Sequence, residues 1–302
     1  MKLSLPCAAR GTIAFTLMVI NTLAWSALLI ALSLVKLVVP VSAVRRRLDP
    51  ILNALANAWV ACNGGIFRLL GGTAWDVSGA ADLAPQDWYM VVSNHQSWVD
   101  ILVLQRVLGG RIPLLKFFLK QQLIYVPVIG LSWWALDFPF LRRHGKTALK
   151  KHPELRLQDR DATRRACEKF SLVPTSVMSF PEGTRFTTAK HDAQGARYRH
   201  LLNPKSGAVA MSMNALGEKF HSLVDVTIVY PDGVPTFWQF LCGRCPRIVA
   251  RIRQLPIPPA LCLGDYVGDS VFRTGFHRWL GALWLEKDAT ISGLLAGAGP
   301  GR

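Results

Sequence analysis

From Gly11 to Val35 the chain runs for 25 residues without a charged side chain, "GTIAFTLMVINTLAWSALLIALSLV". At 1.5 Å of rise per residue, a helix of that length crosses a hydrocarbon core of about 30 Å. A cleavable signal peptide fits less well. The apolar stretch outruns the usual h-region, and no small-residue cleavage site follows it. The sequence continues instead into Lys36, "VVPVSAV" and Arg45-Arg46-Arg47. Lys2 and Arg10 precede the stretch, but the stronger basic cluster follows it. A spanning helix would therefore leave the remainder of the chain on the cytoplasmic face. Basic flanks on both sides also suit a re-entrant or interfacial hairpin with both ends cytoplasmic.

Composition points the same way. Of 302 residues 51% are hydrophobic, and 35 basic against 19 acidic side chains give a net charge of +16. The mean hydropathy, +0.26, is high for a soluble protein. A basic surplus of this size favours a polyanionic partner: nucleic acid, an anionic membrane or a phosphorylated substrate. Ten tryptophans beside that surplus favour the membrane, because Trp and Lys/Arg both settle at headgroup level. Nucleic acid is not expected as a partner, since the charges are spread along the chain and form no aromatic-basic recognition motif. The six cysteines are scattered apart from Cys242-Gly-Arg-Cys245, which has no second pair to complete a zinc site and no redox context. Ordinary reduced thiols and no metal are expected.

Past Arg47, Leu48, Ile51, Leu52, Leu55 and Trp59 recur at helical spacing, with Pro50 suited to a first turn and Gly71-Gly72 as the stop. This predicts an amphipathic helix over 48–72, lying against a membrane or a globular domain. Further on, "WYMVVSN" (88–94), "TSVMSF" (175–180) and "VDVTIVY" (224–230) read as buried strands. "SWVDILVLQRVL", "KTALKKHPELRLQDRDATRRACEKFSL" (broken at Pro153) and "SGAVAMSMNALG" read as helices. Such alternation implies an α/β fold with helices on the faces of a central sheet. The domain plan is a membrane segment over 1–47, the amphipathic helix over 48–72 and an α/β domain over 73–290. The glycine-rich end, 291–302, is expected to be flexible.

Two stretches could carry chemistry. In "VVSNHQSWVDI" (91–101), His95 falls in the turn where a strand ends, the edge at which open α/β sheets bind ligands. Asp100 lies in the first turns of the next helix, whose side chains tilt back towards its N-terminus. A carboxylate fixing one imidazole nitrogen leaves the other free to take a proton. No serine or cysteine sits in a nucleophile-elbow motif, so a His–Asp general base is the catalytic reading. The plainer alternative is a helix cap, since Ser97 to Asp100 fits the Ser-x-x-acid pattern. In "SFPEGTRF" (179–186), Gly183 allows close backbone approach to a ligand, and Thr184 and Arg185 offer a hydroxyl and a planar fork suited to phosphate. There the plainer alternative is an ion pair between Glu182 and Arg185.

Asn94-His95 followed by Asp100, with Phe180-Pro181-Glu182-Gly183-Thr184-Arg185 some 85 residues later, resembles the PlsC-like glycerolipid acyltransferases. Within "FFLKQQLIYVPVIGLSWWALDFPFLRR" (117–143), Lys120 and Arg142 match the family's second block. "VDVTIVYPD" (224–232) resembles its fourth block. "NHQSWVD", "LNPKSG" and "VDVTIVYPD" look like the versions of the lysophosphatidylinositol and lysocardiolipin acyltransferase branch. Asp137 and Pro139 depart from the pattern, standing where much of the family has glycine and an aliphatic residue.

The resemblance implies a single α/β acyltransferase domain with a mixed central sheet flanked by helices. It implies His95 as base and Asp100 as its orienting partner. Lys120, Arg142, Glu182, Gly183, Thr184, Arg185 and Lys205 would form the substrate-binding set. The co-substrate would be acyl-CoA or acyl-carrier protein, with no other cofactor. The acceptor would be lysophosphatidic acid, acylated at sn-2 to phosphatidic acid. Alternatives are lysophosphatidylinositol, lysophosphatidylglycerol or lysocardiolipin, or a non-catalytic lipid-binding role. The setting would be an anionic membrane, the inner membrane in a bacterium, with the catalytic domain on its cytoplasmic face.

Overall fold

A computed structural model describes residues 6–39, 42–79, 82–141, 173–195 and 197–297. The uncharged stretch forms α1 (Cys7–Val38), and α2 (Ser42–Leu70) folds back along it. Among the described residues α1 is the one helix long and apolar enough to cross a membrane, with a mean hydropathy of 2.1 and only 17% of its apolar window buried. Phe15, Ile20, Leu23 and Leu28 stay exposed along it, which no water-facing helix would favour. Its other side is tied down by polar contacts. Asn21 donates to the Trp59 carbonyl at 3.1 Å and to the Asn63 side chain at 2.9 Å. The second helix ends before Gly71, as its glycines predict. Its start differs: Pro50 lies inside the helix and not in its first turn, and Ile51 is exposed while Leu52 and Ala56 are its buried apolar residues.

The domain is built on a six-stranded mixed sheet in the order β1-β8-β7-β2-β6-β3. Its strands are β1 (Ala74–Gly79), β2 (Trp88–Ser93), β3 (Leu115–Phe117), β6 (Ser176–Ser179), β7 (Phe220–Val229) and β8 (Arg247–Leu255). A two-residue pair, β4 (Leu119–Lys120) and β5 (Phe140–Leu141), stands apart. Strands β7, β2, β6 and β3 are mutually parallel, whereas β8 runs antiparallel to β7. The three strands predicted from sequence are therefore adjacent in the sheet, and their C-terminal ends open on one edge.

Alternation along β2 feeds both faces of the sheet. Tyr89 and Val91 enter one core, with Val103, Leu104 and Leu108 of α3 (Val99–Leu108). Met90 and Val92 enter the other, with Val209 and Met213 of α6 (Gly207–Leu216) and Leu280 and Trp284 of α9 (Ser270–Gly297). The remaining α-helices among the described residues are α4 (Ile129–Ala135), α5 (Thr188–Ala193), α7 (Phe237–Leu241) and α8 (Ala260–Leu263). The helix predicted within 146–172 lies outside the described residues. The glycine-rich end departs from expectation. It is helical through Gly297, because Leu283, Trp284 and Ile291 bury their side chains against the sheet and that burial outweighs the entropic cost of glycine. Lys287 of the same helix is fully buried and meets Asp225 of β7 at 2.6 Å.

Asp137 holds a φ of +57°, the left-handed region where glycine is at ease. A glycine would adopt it without strain. Here the residue is an aspartate whose carboxylate meets Lys36 of α1 at 2.6 Å, and Lys36 also reaches Asp49 of α2 at 2.6 Å. The basic end of α1 is thereby joined to both α2 and the segment leaving α4.

Candidate active site

His95 follows β2 by two residues, at the C-terminal edge of the sheet. Asn94 replaces a ladder residue there. Its side-chain amide donates to the Ile228 carbonyl and accepts from the Ile228 N–H, each at 2.8 Å, so β2 and β7 stay joined one residue beyond the strand. The backbone then turns and α3 begins. Asp100 is fully buried. Its Oδ2 lies 2.8 Å from His95 Nδ1 and accepts the Gln96 and Ser97 N–H groups at 2.6 and 2.8 Å. Only the acid's half of the capping pattern forms, since the Ser97 hydroxyl donates to the Pro235 carbonyl at 2.6 Å. The two backbone donors fix Asp100, and a fixed Asp100 orients the imidazole.

Two further side chains complete the arrangement. Tyr230, one residue past β7, donates its hydroxyl to Asp100 Oδ1 at 2.6 Å. Burial and the Asp100 charge push that phenol well above its ordinary pKa, so it remains a donor. Phe180, one residue past β6, stacks on the His95 ring with centroids 4.0 Å apart. Both lie in stretches that carry the resemblance, but no local pattern says what either side chain touches. Both arrive because β2, β6 and β7 are adjacent and parallel, which only the register reveals. His95 keeps 14% of its side-chain surface exposed, and its Nε2 has no protein hydrogen-bond partner among the described residues.

The other expected residues separate into two groups. Gly183 takes a φ of +69°, and the Lys205 side chain crosses directly over it, with Nζ 3.1 Å from where a Cβ would stand. Thr184 accepts from Lys190 at 2.8 Å. The Arg185 guanidinium lies 4.9 Å from the centroid of Trp98, the residue preceding α3. Arg185, Lys190 and Lys205 are all exposed around this loop, a cationic surface suited to an anionic group. Lys120 is exposed on β4, and its partner across that ladder is Leu141, the neighbour of Arg142 in the chain; Arg142 lies outside the described residues.

Glu182 does not belong with the substrate-facing residues. It is fully buried, its Oε1 accepts the His95 N–H at 2.8 Å and its Oε2 accepts the Leu202 N–H at 2.9 Å. It is not an ion-pair partner for Arg185 either, since its oxygens face backbone behind the loop. Burial pushes its pKa up to about 7, against the pull of those two N–H groups and of Lys287. Its place is to hold the backbone of His95. Among the described residues no cluster of three His, Cys, Asp or Glu is placed to hold a metal.

The family model described as Acyltransferase matches residues 75–231, more than half of the chain. This protein belongs to the PlsC-like glycerolipid acyltransferase family. It is 27% identical over 217 residues to the human protein named 1-acyl-sn-glycerol-3-phosphate acyltransferase delta, covering 66% of this chain and 51% of that one. It is 23% identical over 229 residues to 1-acyl-sn-glycerol-3-phosphate acyltransferase 3 of Arabidopsis thaliana, covering 70% and 54%. The chain thus spans about half the length of the curated relatives it matches. A crystal structure of the 1-acyl-sn-glycerophosphate (LPA) acyltransferase PlsC from Thermotoga maritima overlays with a TM-score of 0.45 at 17% identity, over 90% of this chain and 97% of that one.

Proposed function

We propose that this chain is a membrane-bound O-acyltransferase that moves a fatty acyl group from acyl-CoA or acyl-carrier protein to the sn-2 hydroxyl of lysophosphatidic acid. The contact between His95 and Asp100, beside the exposed cations of the 183–185 loop, carries this reading. The names of the relatives support the acceptor. His95 Nε2 accepts the proton of the free hydroxyl as its oxygen bonds to the thioester carbonyl. The tetrahedral adduct collapses, the carbon–sulfur bond breaks, and the imidazolium returns its proton to the departing thiolate. Asp100 stabilises the imidazolium and keeps Nε2 aimed outward. Arg185, Lys190 and Lys205, with Lys120 and Arg142, hold the acceptor's phosphate. The apolar α1 and the Arg45–Arg47 cluster support a membrane setting with the domain on its cytoplasmic face.

The test is thiol release from acyl-CoA by the purified protein with lysophosphatidic acid, lysophosphatidylinositol, lysophosphatidylglycerol and monolysocardiolipin. Fastest release with lysophosphatidic acid is expected. Faster release with another acceptor would move the assignment to that lipid, and no release with any would end the acyltransferase reading.

Two variants probe the assigned roles. Arg185→Lys keeps the charge but loses the planar fork and its stacking on Trp98. The acceptor KM should rise about tenfold with the donor KM unchanged, and the reverse pattern would assign Arg185 to the carrier's phosphates. Tyr230→Phe leaves Asp100 Oδ1 buried without its donor. Without that donor the carboxylate no longer fixes the imidazole in one orientation, so kcat should fall roughly tenfold with KM held. An unchanged kcat would reduce Tyr230 to a packing residue.

A further inference from the structure

A second basic feature lies at the far end of α3 from His95. There a cleft of about 650 Å³ opens between α2, β1 and the turn after α3. Three arginines from separate segments line it: Arg68 from the last turn of α2, Arg106 from α3 and Arg111 from the following turn. The Arg106 guanidinium sits 4.4 Å from the centroid of Trp75. None of the three makes an ion pair or a side-chain hydrogen bond among the described residues, and no carboxylate lines the cleft. On the opposite face of the sheet arginines do find acids: Arg251 meets Asp76 at 2.8 Å, and Arg253 meets Asp225 at 2.8 Å. Burial, and then the nearby charge of Arg68, hold Arg106 below its ordinary pKa. Bringing like charges together against apolar walls is unfavourable unless an anion joins them.

The surroundings indicate which anion. Val60 and Ala61 of α2 form an apolar wall, and Leu69, beside Arg68, is 80% exposed. The same helix lies along α1, the candidate membrane span. We propose that the cleft holds the headgroup of one anionic bilayer phospholipid, its phosphate among Arg68, Arg106 and Arg111 and its first acyl carbons along Val60 and Ala61. No base lines the cleft, so this lipid is bound and not converted. The site rests on a membrane location for α1 and is independent of the acyl-transfer chemistry.

Full-length protein in detergent, titrated with dioleoyl phosphatidylglycerol or dioleoyl phosphatidylcholine and observed by native mass spectrometry, tests this. One phosphatidylglycerol per chain should be retained where phosphatidylcholine is not. The triple variant R68Q/R106Q/R111Q should weaken that binding at least tenfold. Ala61→Phe keeps every charge but fills the cleft, and should weaken it similarly; thermal unfolding in the same detergent verifies that both variants are folded. Equal retention of the two lipids, or unchanged phosphatidylglycerol binding by the triple variant, would overturn the site. Unchanged binding by Ala61→Phe would replace the cleft with a diffuse basic surface. Displacement of the lipid by free CoA would assign the arginines to the donor's phosphates instead. The His95→Ala protein should bind phosphatidylglycerol as the unmodified chain does, which separates this result from any failure of the catalytic reading.

Discussion

His95→Ala is expected to abolish detectable acyl transfer while leaving the protein folded. General-base catalysis is typically worth about 10² to 10⁴ in rate, and little else in the site could accept the hydroxyl proton. The variant is structurally mild. Glu182 and Phe186 bond to the backbone of residue 95, not to its ring. The ring is lost only from its stack on Phe180 and its contact with Asp100. Asp100→Asn is a less clean experiment. Asp100 Oδ2 accepts two backbone N–H groups and Oδ1 accepts the Tyr230 hydroxyl, so an amide nitrogen at either position opposes donors or forces Tyr230 to turn its hydroxyl. That variant should lose stability, by about 1 to 3 kcal/mol, as well as much of its turnover. Turnover and thermal unfolding measured on both variants separate the roles. Near-normal turnover by His95→Ala would remove the base assignment outright.

The parts of this site that depend on local sequence were legible in it. A histidine where a strand ends, an aspartate in the next helix and a Gly-Thr-Arg loop are short-range patterns, and they fold as their spacing implies. The parts that depend on register were not. Tyr230 meets Asp100 across 130 residues, and nothing near "IVYPD" marks it as a donor to a buried carboxylate. Glu182 stands beside Arg185 in sequence, yet the turn at Gly183 sends the two side chains to opposite sides of the loop. At fold level, β8 alternates buried Ile248, Ala250 and Ile252 with partly exposed Arg247, Arg251 and Arg253, a strand signal that its charge disguises. The glycines of α9 mimic a tail because composition carries no information about the sheet they pack against.

Glu182→Gln should be the most informative change in the motif. One buried carboxyl accepts N–H groups from two separated segments, at His95 and at Leu202. A glutamine oxygen can accept only one of them, and its NH₂ must face the other. The expected result is a loss of about 1 to 3 kcal/mol at pH 5. Displacement of the His95 backbone should also cost on the order of 10² in kcat, with a smaller change in KM. The stability effect carries its own pH signature. Burial raises the folded-state pKa of Glu182 from 4.5 to about 7. A raised acid binds its proton more tightly when folded, so its contribution is full below pH 4.5 and is lost as pH rises through about 7. Across that window the unmodified protein should lose on the order of 3 kcal/mol that the glutamine variant, which cannot ionise there, keeps. The stability gap between the two proteins should therefore close, or change sign, from pH 5 to pH 8. Denaturant unfolding across that range measures it. A gap that widens with pH would mean that Glu182 is held as a carboxylate by its two N–H donors and that burial does not win.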